Sequence, residues 1–392
     1  MTAAARTPHR LAYPPARRQP VVEARHGEEV ADPYRWLEDP ASPETGRWLA
    51  AQQALTDTHV CARETGQALT RRPAEASAVG SVSPPVWRGG RQMVVRRDPS
   101  QVMSAVHLIE PDGGERVLFD PLVLDPTGLT ALDRWQVSWD CRFVAYQVSH
   151  RGTEQSRLYV MDIDSGEVVA GPIDRVRYAP VVWAPDSRGF WYVRQLTRPR
   201  DRTAVAPRRL CWHRLGRDPA GDEPVFGDGL PATIGLWPQL FHHRWLTLRT
   251  TLGTARDNAL WVADVRAAGP GRLVFRPVLP EPLATAVPSV GLNGRMYLRT
   301  TLGAGRGRVC AVGLADLERL GPEHWREVVP EQPDSVLRAV VPLAGGQWGP
   351  QRLFLVRSRD RVSAAGRPGS RRGRGCAGPL WRKPGWPPPA RS

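Results

Sequence analysis

Apolar positions change their spacing near residue 73, and the change divides the chain. Ser42-Pro43-Glu44 reads as N-cap, first helical residue and first-turn acid. Behind it Trp48, Leu49, Gln52 and Leu55 fall on one side of a helix, predicted over roughly 43–65 and ending before Arg71-Arg72-Pro73. Beyond that point the pattern is of short apolar strands between turn residues. Trp139-Asp-Cys-Arg-Phe143, Ala184-Pro-Asp-Ser-Arg-Gly-Phe190 and Leu292-Asn-Gly-Arg-Met296 set Asp or Asn turns between apolar pairs, as tight hairpins require. Leu158-Tyr-Val-Met-Asp-Ile-Asp-Ser-Gly166 and Leu260-Trp-Val-Ala-Asp264 read as the strand that follows. Leu248-Arg-Thr-Thr-Leu-Gly253 recurs 50 residues later as Leu298-Arg-Thr-Thr-Leu-Gly303. Inner-strand starts placed near Val86, Ser138, Val182, Trp237, Val290 and Val340 are spaced by 52, 44, 55, 53 and 50 residues. A strand-built repeat of this length predicts propeller blades, six of them visible.

Ahead of the helix runs His26-Gly-Glu-Glu-Val-Ala-Asp-Pro-Tyr-Arg-Trp-Leu-Glu-Asp-Pro40. Its two Asp-Pro pairs disfavour helix at Asp32 and Asp39 and make rigid extended corners. Tyr34, Trp36 and Leu37 between them offer large apolar surface, each side chain contributing roughly 1.5–3 kcal/mol when buried. The residues read as a docking arm. No histidine or metal ligand lies near Asp32, Glu38 or Asp39 to give them chemistry.

This stretch closely resembles the N-terminal signature of the prolyl oligopeptidase family of serine peptidases, and Tyr13-Pro14-Pro15-Ala16-Arg17-Arg18 with Val21-Val22-Glu23 fits the same opening. The resemblance covers roughly residues 13–363. It implies a mainly β fold in which the arm, packed on an α/β-hydrolase domain, leads into a seven-bladed β-propeller, and the chain returns to complete the hydrolase. It also implies cleavage of short peptides after proline by a Ser-Asp-His triad, with the propeller excluding folded proteins. The expected division is an N-terminal helical arm over 1–72, a propeller truncated to about six blades over 73–363, and a tail over 364–392, the hydrolase domain being absent.

Composition narrows the partners. The formal charge is +15, but residues 1–20 carry four arginines and residues 361–392 seven arginines and Lys383, with no acid in either. The 340 residues between hold a net +3, too little for a phosphate-binding surface, so no nucleic acid is expected. No run of 18 apolar residues exists and residues 1–20 lack the apolar core of a signal peptide, which makes no membrane and a cytoplasmic location the expectation. Cys61, Cys141, Cys211, Cys310 and Cys376 form no C-x-x-C pair, and the histidines, His242-His243 included, form no ligand set. Neither a metal nor a cofactor is expected.

No G-x-S-x-G nucleophile elbow occurs anywhere in the sequence. Pro185-Asp-Ser187-Arg-Gly189 comes nearest, but proline replaces the first glycine and the setting is a hairpin, so Ser187 reads as a turn residue. No catalytic residue is assigned, the substrate-binding residues stay unknown, and the chain alone is expected to be inactive. From about residue 364 the chain turns to Arg, Gly and Pro without Asp, Glu, Ile, Phe or Tyr, and such a segment cannot bury enough apolar surface to order itself. A frameshift near Val362 accounts for the switch; the rival reading is a basic tail in which Pro387-Pro388-Pro389, Trp381 and Trp386 touch nucleic acid. The function expected is thus the substrate-gating part of a peptidase acting on short proline-containing peptides. The alternatives are a stand-alone propeller that binds a partner, and one half of a two-piece enzyme whose hydrolase domain is separately encoded.

Overall fold

A computed structural model of the protein describes residues 11–61, 64–177, 179–196, 206–343, 352–359 and 362–366. The chain forms two units, one of residues up to 82 together with 97–101, the other of residues 83–96 and those from 102 onward. In the first unit, strands Val22–Arg25 and Glu28–Ala31 pair as an antiparallel hairpin. His26 and Gly27 turn it, both in the left-handed region at φ 54° and 86°. The Asp-Pro corner then leads into a short 3-10 turn, Arg35–Glu38. Arg35 fixes that turn by bonding Asp32 at 2.7 Å and Glu23 on the hairpin. Trp36 donates its Nε1–H to the Arg17 carbonyl at 2.7 Å and meets Trp48 edge-on at 6.5 Å, while Arg17 grips Glu44 through two bonds of 2.8 and 2.9 Å.

Helix α1 spans Pro43–Thr56 with Ser42 as its cap, the Ser42 Oγ accepting from the Glu44 N–H at 3.3 Å. The helical path does not stop at Arg71-Arg72-Pro73. A wider turn at Asp57–Cys61 is followed by α2, Glu64–Ser77, which carries Pro73 inside it. Proline removes a single N–H from the ladder. The helix nonetheless runs through the expected boundary to Ser77, with Ala74 and Ala76 after the proline and Arg71 bridging Glu75 one turn on at 3.4 Å.

The second unit is a succession of antiparallel sheets taken in chain order. Sheet I includes Val86–Arg88, Arg91–Arg97, Ala105–Ile109 and Glu115–Phe119, and sheet II comprises Thr130–Val137, Phe143–His150, Arg157–Asp162 and Val168–Ile173. Sheet III comprises Val181–Trp183, Gly189–Gln195, Arg208–Arg214 and Pro224–Phe226, and sheet IV Ile234–Phe241, Trp245–Leu252, Asn258–Asp264 and Arg276–Leu279. Sheet V comprises Ala286–Val290, Arg295–Thr300, Arg308–Gly313 and Arg326–Val329, and sheet VI Val336–Leu343, Arg352–Arg359 and Val362–Gly366. The six expected starts all fall in or beside first strands, although Ser138 and Val290 mark their ends.

Turn chemistry repeats between first and second strands. Asp140, Asp186 and Asn293 each accept, on a side-chain oxygen, the N–H two residues on, at 3.1, 3.1 and 3.2 Å. The repeated hexapeptide forms the end of a second strand and the glycine after it: Leu248 and Leu298 are wholly buried, and Gly253 and Gly303 take φ 51° and 63°.

Second strands are apolar on both faces because each faces a neighbouring sheet on either side. In sheet V, Met296 and Leu298 pack with Leu260 and Val278 of sheet IV, whereas Tyr297 packs with Leu337 and Leu355 of sheet VI. Sheets II and III are stapled by two indoles, Trp139 donating to the Trp183 carbonyl at 3.0 Å and Trp183 to that of Gln136 at 2.9 Å. A straight stack would hold sheets II and IV about 20 Å apart, two sheet spacings. Trp139 of sheet II instead meets His243 of sheet IV with ring centroids 4.2 Å apart. The sheets therefore turn about an axis, as propeller blades do.

Sheet VI continues past the boundary expected at 363, for Ala364, Ala365 and Gly366 pair with Arg357, Val356 and Leu355. Residues 367–392, the rest of the expected tail, lie outside the described residues.

Candidate functional site

The turns joining first to second strands, among them Gly89-Gly90, Asp186-Ser187, His242-His243 and Asn293-Gly294, lie at one end of the blades. The other end, where second strands run out and third strands begin, gathers arginines. Arg249 and Arg299, from the two copies of the hexapeptide, hold equivalent places there: Arg249 stands opposite Trp237 and Leu260, Arg299 opposite Val287 and Val309. Arg208 opens the third strand of sheet III, and Arg338 sits at a register shift in the first strand of sheet VI. Arg134 follows another such shift in sheet II.

None of these five guanidiniums has a hydrogen-bond or carboxylate partner among the described residues. Burial pulls down the pKa of Arg249, Arg299 and Arg208. The charges of Arg249 and Arg338 lower that of Arg299 further, and the charge of Arg177 that of Arg208. Arginine stays protonated regardless. Arg249, Arg299 and Arg208 are thus half-desolvated like charges with donors unused, suited to carbonyl and carboxylate oxygens, whereas Arg134 and Arg338 are exposed. The sequence held one signal for it, the arginine inside each hexapeptide copy.

At the turn end Arg88 lies over the Trp139 ring at 4.4 Å, and Trp139 in turn contacts His243. Burial first, then Arg88, Arg266 and His242, lowers the pKa of His243, so its imidazole is neutral at pH 7. His242 Nε2 reaches the Val290 carbonyl at 2.8 Å and ties sheet IV to sheet V.

Ser187 is a turn residue, 3% exposed, at φ 57°, with its Oγ accepting from the Asp140 N–H at 3.3 Å. Gly189 after it is there for packing, since a Cβ would strike the His213 carbonyl and the Trp212 ring. Cys141, Cys211 and Cys310 are buried thiols with raised pKa values, that of Cys211 pushed up to about 11 by burial and by Asp222, the opposite of an activated nucleophile. In the arm, Asp32 holds Arg35, and Asp39 accepts the Ala41 N–H at 3.0 Å. No three His, Cys, Asp or Glu side chains gather among the described residues in a way that could hold a metal. No described helix is long and apolar enough to cross a membrane.

The family model for the N-terminal β-propeller domain of prolyl oligopeptidase matches residues 13–347. The chain belongs to the prolyl oligopeptidase family. Over 360 residues it is 28% identical to the dual function macrocyclase-peptidase POPB of Galerina marginata, a match covering 84% of this chain and 48% of that protein. It is 22% identical over 327 residues to the prolyl endopeptidase of Elizabethkingia miricola, covering 82% and 45%. Among solved structures, one from a structural and mechanistic analysis of two prolyl endopeptidases superposes with a TM-score of 0.78 at 31% identity, over 90% of this chain and 51% of that one. Prolyl oligopeptidase B from Galerina marginata, bound to a 35mer hydrolysis and macrocyclization substrate, shares the fold with a TM-score of 0.75 at 23% identity, over 90% and 52%. The chain spans about half the length of the curated relatives it matches. The mainly β propeller predicted from the 50-residue echo is the fold of this family's N-terminal domain.

Proposed function

We propose that this chain is the substrate-admitting part of a peptidase that cleaves short peptides after proline, and that the arginine end of the propeller is the surface that meets the peptide. The observation that carries this is the set of unpartnered, half-buried arginines at repeat-equivalent places, Arg249 and Arg299 above all. A peptide reaching that end would place carbonyl oxygens and its terminal carboxylate against donors already partly stripped of water, which strengthens each bond. The bond-breaking Ser-Asp-His chemistry would come from an α/β-hydrolase part, continuous with this sequence or separately made, on which the helical arm docks.

The test is fluorescence anisotropy of a fluorescein-labelled Ala-Ala-Gly-Pro-Ala-Ala peptide titrated with the full chain. Arg249→Gln and Arg299→Gln should each weaken binding about 10- to 100-fold, the range of a charge-assisted hydrogen bond. A chromogenic Gly-Pro substrate should be left uncut by the chain alone, and cut once the matching hydrolase half is added. Wild-type protein that ignores the peptide, or arginine variants that bind it equally well, would overturn the reading.

A further inference from the structure

Sheet V is flanked by an unpaired cation on either face. Along the second strand of sheet IV, Trp245, Thr247 and Arg249 share one face, and Trp245 packs with Ala286, Met296 and Leu298 of sheet V. Leu260, directly across from Arg249 on the third strand, belongs to the same cluster, so Arg249 stands at the seam between sheets IV and V. Arg299 holds the same place one blade on. It shares its face with Tyr297, and Val309 across from it packs with Leu337 and Leu355 of sheet VI, which puts Arg299 at the seam between sheets V and VI.

Both guanidiniums are open to a ligand. The two residues are half-buried, and none of their side-chain nitrogens is sealed from water, unlike Nε of Arg208. Neither has a counter-charge. No carboxylate among the described residues bonds to either, and the charges acting on Arg299 are those of Arg249 and Arg338. Two acids of the same end answer other groups: Asp257 accepts from the Thr285 hydroxyl at 3.3 Å, and Glu331 from the Arg306 N–H. Peptide carbonyls would fill the unused donors but leave two like charges, partly stripped of water, uncompensated. A carboxylate fills the donors and balances the charge together, and its two oxygens match the guanidinium fork.

We infer that Arg249 and Arg299 make this end of the propeller acid-selective, so that its substrates are short proline-containing peptides that also carry a carboxylate. That carboxylate belongs to an aspartate or glutamate side chain or to the peptide's own terminus, and peptides bearing lysine in its place are disfavoured.

The inference rests on the peptide-admitting reading, and the test separates the two. Unlabelled peptides compete with the fluorescein-labelled Ala-Ala-Gly-Pro-Ala-Ala probe for the full chain, followed by anisotropy, so that the label's own charge is common to every measurement. The competitors are acetylated and amidated Ala-Ala-Gly-Pro-Ala-Ala with Glu, Gln or Lys replacing one non-proline residue at a time, and the unsubstituted peptide with its C-terminal carboxylate free. In wild type, a carboxylate in at least one place should improve competition about ten-fold over its uncharged counterpart, the range of a charge-assisted hydrogen bond. Lys should compete less well than Gln at that place. A gain from Glu assigns the carboxylate to a side chain, and a gain from the free end alone assigns it to the terminus. Arg249→Gln or Arg299→Gln should bring the preference close to unity, while lysine at the same position, which keeps the charge, should retain part of it. Equal competition by all the peptides overturns acid selection, and if Arg249→Gln still weakens the probe, the broader reading stands. A preference that survives both glutamine variants, or that the lysine variants lose as fully, also overturns it. The wild-type series decides without any variant having to fold. A probe that wild type does not bind refutes both readings.

Discussion

Replacing Asp222 should cost sheet III more than any surface change, because its carboxylate is the shared acceptor of two buried donors. The side chain is 5% exposed. Its Oδ2 accepts from the Tyr192 hydroxyl at 2.7 Å, and both oxygens lie 3.0 Å from Nδ1 of His213; Tyr192 and His213 are themselves wholly buried. Burial, and the Asp222 charge after it, hold the Tyr192 phenol far above its ordinary pKa, so it serves as a donor at every accessible pH. Asp222→Ala leaves a hydroxyl and an imidazole N–H without an acceptor, each costing about 1–3 kcal/mol. The loss of the buried centre should total about 3–5 kcal/mol. Tyr192→Phe removes one donor and should cost about 1.5–3 kcal/mol, the value of a hydrogen bond to a charged group. Repeat architectures unfold in parts, so the assay is hydrogen exchange resolved to the strands Gly189–Gln195 and Arg208–Arg214, with urea denaturation followed through Trp191 and Trp212. A double-mutant cycle of the two changes should show coupling of at least about 0.5 kcal/mol. If Asp222→Ala exchanged within about 0.5 kcal/mol of wild type, the network would be ornamental and the argument wrong.

Two further outcomes follow from single positions. Gly189→Ala should disrupt the same sheet by about 1–3 kcal/mol or more, since the new methyl meets backbone rather than a movable side chain, and a melting curve unchanged from wild type would contradict it. In the arm, the Arg35 hydrogen bond, and that of Arg25 after it, lower the Glu23 pKa from 4.5 to about 2. A depressed carboxylate contributes stability that is present above its ordinary value and lost as pH falls through the lowered one. Exchange protection of the Val22–Ala31 hairpin should therefore decline between pH 4.5 and about 2, and Arg35→Gln should flatten that decline.

How far the sequence reaches depends on the range of the interaction concerned. The hairpins were legible because their chemistry is local: an Asp or Asn side chain accepts an N–H two residues on, and the code sits within five letters. The same locality misplaces strand starts, and Trp237 and Val340 fall in mid-strand. Apolar pairs crowd around turns, so Ser138 and Val290, at the ends of first strands, were read as beginnings. Pro73 reads as a stop because its intrinsic cost is large, yet the helix continues through it to Ser77.

The arginine array lies beyond local reasoning for a different cause. The chain holds 54 basic residues, and nothing in the letters separates Arg194, which finds Asp174 at 2.7 Å, from Arg249, which finds no partner among the described residues. Whether a guanidinium is paired is settled by which strand lies across from it, and so by the assembled sheets. Only the echo at a 50-residue interval pointed there, because a residue repeated with its blade takes the same place in successive blades. Gln147 shows the limit most sharply. An interior glutamine on a second strand reads as a solvated position that happens to lie in an apolar run. Its place is set by the Ala179 carbonyl, contributed by the approach to the next sheet, which accepts from the amide nitrogen. In a propeller the groups that bind are defined between blades, so local patterns can lay out the blades while the binding groups emerge only when they are stacked.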